Sequence, residues 1–145
     1  MATLDDVRAI AMGLPGVTET VDGHRGGAVW RTTSGGFVWE RGPSKTDLAT
    51  LASLGSSWPD GVVLGVRTDS LETKDALLAE LPDTVFTIPH FDGYPAVLCR
   101  LDRVSPDDLR ELVVEAWLTR APARVARQWL ADNAPADDDR LPRES

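Results

Sequence analysis

The sequence predicts an α+β fold, a single compact domain in which an antiparallel β-sheet packs against flanking helices. Three observations carry this. Two strand-like runs, Ala28 to Thr33 and Gly36 to Arg41, lie close enough to form a hairpin around Ser34-Gly35. Further β-branched runs alternate unevenly with amphipathic helical segments. The regular strand–helix–strand order of a doubly wound parallel sheet is missing.

Taken in order, Thr3 reads as an N-cap with Asp6 three residues on, the spacing of a capping box. Leu4, Val7, Ile10, Ala11 and Leu14 repeat at helical intervals, and Gly13 and Pro15-Gly16 end that helix. In the hairpin, a turn at Ser34-Gly35 sets Trp30 opposite Trp39 and Thr32 opposite Phe37, because side chains alternate with period two. The expected result is an aromatic band on one face, either the core face of the sheet or a partly open stacking platform. Ser44 to Asp47 repeats the capping-box pattern before a short helix through Leu48, Leu51 and Ala52. Gly61 to Arg67 reads as a strand, and Asp69 as the cap of a third helix with Leu71, Leu78 and Leu81 as its stripe, stopped by Pro82.

Val85 to Ile88 is a short strand, and Ala96 to Leu101 is an apolar one expected near the centre of its sheet. Ser105-Pro106-Asp107-Asp108 combines a cap, an N1 proline and first-turn acids, a strong helix start. Leu109, Leu112, Val113, Ala116 and Trp117 form its apolar face, and Pro122 breaks it before a further short helix. Residues 1–131 are read as the domain, and 132–145 as an acidic tail expected to be disordered.

Charge narrows the function. Fifteen basic residues against twenty-three acidic ones give a net charge of −8 over 145 residues, which argues against a non-specific coat on nucleic acid. A local basic patch is still possible at Arg120, Arg124 and Arg127, spaced to share one face if their helix is continuous. Thirteen of the fifteen cations are arginine; Lys45 and Lys74 are the exceptions. No apolar run approaches the roughly 18 residues of a membrane span. With no secretory pattern at Met1 to Asp6, the expected location is the cytoplasm and the expected state a monomer.

Chemistry is sparsely marked. Cys99 is the only cysteine and lies within an apolar strand, where a thiol is an inert packing group. Gly23 to Gly27 lacks the spacing of a phosphate loop, and no nucleophile elbow occurs. His90 and Asp92 alone make no metal set. No cofactor, metal or catalytic residue is therefore expected, and the chain reads as a non-enzyme. The most informative segment is Pro89 to Pro95, which sets an imidazole, a carboxylate, a phenol and a phenyl ring between two prolines before an apolar strand. It is either a structural corner or a binding loop.

In sum these segments resemble the MmcQ/YjbR family, also described as having a CyaY-like fold. The resemblance rests on Leu14 to Glu19, Phe37 to Arg41, Asp60 to Val66, the long run Phe86 to Leu98, and Glu115-Ala116-Trp117 followed by Ala121-Pro122. It covers roughly residues 4–131. It implies the α+β architecture already derived, and a DNA-binding label that leans on fold rather than on a defined site. This chain departs from the family pattern at Gly23 to Trp30 and at Gly35-Gly36, where a proline and a lysine are missing. Two functions are therefore carried forward. One is a DNA-binding accessory protein using Arg120, Arg124 and Arg127. The other is a non-enzymatic module that binds a small molecule or a protein through Trp30, Trp39, His90, Asp92 and Tyr94.

Overall fold

A computed structural model describes residues 2–133; the predicted acidic tail lies outside the described residues apart from its first two positions. Helix α1 (Leu4–Met12) is followed by strands β1 (Thr18–Thr20), β2 (Val29–Thr32) and β3 (Gly35–Glu40), then α2 (Lys45–Ser53) and β4 (Val63–Arg67). Helix α3 (Leu71–Glu80), strand β5 (Val85–Phe86), a 3-10 turn at Pro89–Phe91, strand β6 (Ala96–Arg100), and helices α4 (Pro106–Leu118) and α5 (Ala123–Asp132) complete the order. The six strands form one sheet in the order β1-β2-β3-β4-β6-β5, every neighbouring pair antiparallel. No described helix is long and apolar enough to cross a membrane.

The helix starts follow the sequence chemistry. Thr3 and Ser44 make complete capping boxes with Asp6 and Asp47, and Ser105 caps α4 with Pro106 behind it. At α3 the cap is Ser70, which accepts from the Thr73 amide, rather than the expected Asp69. Ser70 wins because its hydroxyl reaches the N3 amide from the extended backbone immediately before the helix.

The hairpin differs from the expected register. Thr32 pairs with Gly35, so the turn is Thr33-Ser34, one residue earlier than predicted, and a bulge at Trp30/Arg31 intervenes. Trp30 therefore sits opposite Val38, and Trp39 opposite Val29. A one-residue slip moves a side chain to the other face of a sheet. The predicted aromatic band does not form: the two tryptophans lie on opposite faces.

Each face has its own core. On one side α1, α3 and α4 cover Trp30, Phe37, Val38, Leu64, Val66, Val97 and Cys99. Trp30 is fully buried, and its indole N–H donates to Glu19 at 3.0 Å, while Arg8 of α1 grips the same carboxylate at 2.7 Å. Burial raises the Cys99 thiol to about 12, as expected of an inert cysteine. On the other side Leu51, Val63, Ile88, Phe91, Ala96 and Leu98 form a smaller cluster under α2 and the 3-10 turn. Strands β4 and β6 are buried on both faces, which explains their continuous apolar character.

This second face is only partly roofed, and Trp39 occupies the opening. Its ring lies across Gly65 of β4 so closely that a Cβ there would fall 2.2 Å from the indole. Glycine is what allows the flat approach. Gly65→Ala is expected to push the indole off the sheet and cost about 2 kcal/mol. A thermal melt together with the Trp39 indole resonance measures this, and no change in either would contradict the stacking.

Candidate functional site

An open cavity of about 470 Å³ lies on the half-covered face, bordered by Trp39, Arg41, His90, Phe91 and Tyr94. Four stretches of chain converge there. Strand β3 delivers Trp39 and, just past its end, Arg41. The first turn of α2 delivers Asp47 beneath the rim. The Pro89–Pro95 loop brings the imidazole and two rings, and α3 anchors that loop from behind.

Asp47 is the hub. Its Oδ2 accepts from the Arg41 guanidinium at 2.8 Å and from the Ser44 amide at 3.0 Å, and its Oδ1 lies 3.3 Å from Nδ1 of His90. The Asp47 and Arg41 side chains are 2% and 7% exposed, so this ion pair is buried. Burial alone would raise the carboxyl. The Ser44 amide, the Arg41 guanidinium and the Ser44 side chain overcome that and hold it at about 2. At neutral pH the carboxylate can only accept, so Nδ1 of His90 carries the hydrogen and a neutral ring keeps its lone pair on Nε2. The His90 side chain is 64% exposed. An oriented imidazole with one free nitrogen thus stands at the rim.

The rings are locked together. Phe91 makes edge contacts with His90 at 6.0 Å and with Tyr94 at 5.4 Å, and the Arg41 guanidinium lies 5.6 Å over the Phe91 ring. Arg41 also donates to the carbonyl of Gly42. Arg67 caps the outer side of Tyr94, donating to its phenol oxygen at 3.0 Å and sitting 5.4 Å over its ring. Behind the loop, the buried ammonium of Lys74 donates to the carbonyls of Phe91 at 2.6 Å and Tyr94 at 2.9 Å. Gly93, at φ +73°, turns the chain between them.

Of the residues singled out in the sequence, Trp39, His90 and Tyr94 come together here. Trp30 does not: it is a core residue of the opposite face, for the register reason given above. Asp92 is exposed and does not border the cavity; it lies near enough to Lys74 to favour its charge. Arg120, Arg124 and Arg127 do not share one face, because the chain leaves α4 at Leu118 and restarts at Ala123 behind Pro122. Arg120 lies against the hairpin turn beside Gly35, and its carbonyl accepts from Thr32 at 2.6 Å. Arg124 and Arg127 are exposed on α5. Arg41, Asp47 and Lys74 complete the site without having been singled out, together with Phe91, read in the sequence only as part of the proline-flanked loop. The available signals were weak: a capping-box acid for Asp47, and for Lys74 its being one of two lysines in an arginine-rich chain.

The YjbR family model matches residues 12–119, which span the sheet, the cavity and α4. An uncharacterized protein of Mycobacterium bovis and two of Mycobacterium tuberculosis are each 43% identical over 133 residues, covering 92% of this chain and 99% of theirs. Among solved structures, a Deinococcus radiodurans protein with a DUF419 domain superposes with a TM-score of 0.58. It is 19% identical and covers 90% of this chain and 89% of its own, a likeness of fold.

Proposed function

The chain belongs to the YjbR family, and from that premise we propose that it is a binding module for a small molecule with a flat ring, seated over Trp39. The observation that carries this reading is the cavity itself. Three aromatic rings and an imidazole border an open space: Trp39 lies on Gly65, Asp47 orients His90, and Lys74 anchors the Phe91–Tyr94 loop through its carbonyls. Groups fixed in advance lose little entropy when a ligand arrives. Trp39 offers a stacking surface, and Nε2 of His90 offers one directional hydrogen bond. A space of about 470 Å³ falls within the roughly 300–1,000 Å³ of ordinary ligand pockets.

DNA binding is the second reading, favoured by the exposed Arg124 and Arg127 one turn apart on α5. Two cations on a chain of net charge −8 give little counterion release. Calorimetric titration with indole, benzoate and adenine, and with duplex and single-stranded DNA at two salt concentrations, separates the two. At least one ring probe is expected to bind, and Trp39→Ala to weaken it about tenfold or more, in line with an aromatic stacking contribution. DNA is expected not to bind with a salt slope. Ring probes indifferent to Trp39→Ala, alongside salt-dependent DNA binding lost in an Arg124→Ala, Arg127→Ala variant, would reverse the choice.

A further inference from the structure

A second cleft, independent of the Trp39 cavity, opens between α3 and α4 beside the end of β4 and encloses about 240 Å³. Its floor is apolar: Val66 and Leu112 are buried, and Leu77 and Leu81 are partly so. Its rim carries five carboxylates, Asp69, Glu80, Asp108, Glu111 and Glu115, against one cation, Arg67. That arginine is already engaged with Tyr94. Among the described residues none of the five acids makes an ion pair.

The fold accounts for two of them. Asp69 stands just before the cap of α3, and Asp108 lies in the first turn of α4, where the helix dipole favours negative charge. The other three work against the fold. Glu80 ends α3, at the negative pole of that helix. Glu111 and Glu115 are a like-charged i,i+4 pair on α4, an arrangement that destabilises a helix. Both side chains are exposed; partial desolvation, then Glu111 and Asp69, push the Glu115 carboxyl above its ordinary range. Charges that cost stability within the chain, gathered over an apolar floor, point to a counter-charge from outside it.

We propose that this cleft binds a small organic cation, an ammonium group on a short apolar stem. The stem lies on Val66, Leu77 and Leu112, and the ammonium sits between Glu111 and Glu115. A volume below the roughly 300 Å³ of the smallest usual pockets limits the stem to a few carbons. A bare metal ion fits less well, since it would leave the apolar floor uncovered. Among the described residues, moreover, no three histidines, cysteines or carboxylates are grouped for metal ligation.

The test is calorimetry on the full chain with pentylammonium, 1-pentanol and pentanoate, which share a stem and differ in charge. Pentylammonium is expected to bind at least about tenfold more tightly than pentanol, with pentanoate weakest, and to weaken as salt rises from about 50 to about 500 mM. Glu111→Gln with Glu115→Gln is expected to bring the amine down to the level of the alcohol while leaving the alcohol unchanged. Leu77→Trp, which fills the floor, is expected to abolish both. The double glutamine variant, relieved of its like charges, is expected to melt no lower than the parent, so that lost amine binding cannot be ascribed to unfolding. Equal binding of amine and alcohol by the parent chain, or unchanged amine binding by Leu77→Trp, would overturn the proposal.

Discussion

Asp47→Ala is expected to destabilise the protein by about 4 kcal/mol, because it leaves the buried Arg41 guanidinium without a counter-charge. For a chain of this length that corresponds to a fall in melting temperature of roughly 12 °C. The same change removes half of the α2 capping box and the acceptor that orients His90. Acid gives an independent readout. The Asp47 carboxyl is held at about 2, below its ordinary 3.8, so its contribution is fully present above pH 3.8 and is lost as pH falls toward 2. In urea melts the parent chain is expected to lose about 2 kcal/mol over that interval that Asp47→Asn does not lose. Parallel pH profiles for the two would contradict a structural role for the ion pair.

Lys74→Met carries the second large effect, about 3 kcal/mol, because the buried carbonyl of Phe91 and the part-buried one of Tyr94 lose their only side-chain donor among the described residues. Burial lowers the Lys74 pKa, and the neighbouring Asp92 and Asp75 oppose that only in part. The ammonium is therefore costly to bury, and its two carbonyl acceptors supply the compensation. Methionine fills a similar volume, so lost packing is a minor contribution. The loop should loosen before the sheet does. Amide hydrogen exchange at Phe91 and Tyr94 is expected to accelerate strongly, with little change in β4 or β6. Uniform acceleration across the sheet would show that Lys74 supports the whole fold rather than the loop.

How much of this was legible in the residues varied with the range of the interactions involved. Capping boxes at Thr3 and Ser44, the proline-led start of α4 and the apolar runs of β4 and β6 are local patterns, and each is found where its pattern lies. The hairpin register was not legible. A bulge at Trp30/Arg31 leaves no mark in composition, yet it separates Trp30 from Trp39 and buries one of them. Strand β1 was missed because Thr18-Glu19-Thr20 is too short and polar to read as a strand; Glu19 earns its place only by meeting Arg8 and Trp30 in space. The Pro89–Pro95 loop could be singled out as a candidate site because its chemistry is contiguous. Its supports, Asp47 from forty-three residues away in sequence and Lys74 from seventeen and twenty, are long-range and silent until the chain is folded.

The most direct test is nitrogen-resolved NMR of the full chain during titration with whichever ring probe binds, following the Trp39 indole N–H and the His90 imidazole together. Both signals are expected to move along one binding curve, while the indole of Trp30, buried on the opposite face, stays still. Shifts confined to α5, or a probe that moves Trp30 and leaves Trp39 and His90 unchanged, would contradict a binding site in this cavity.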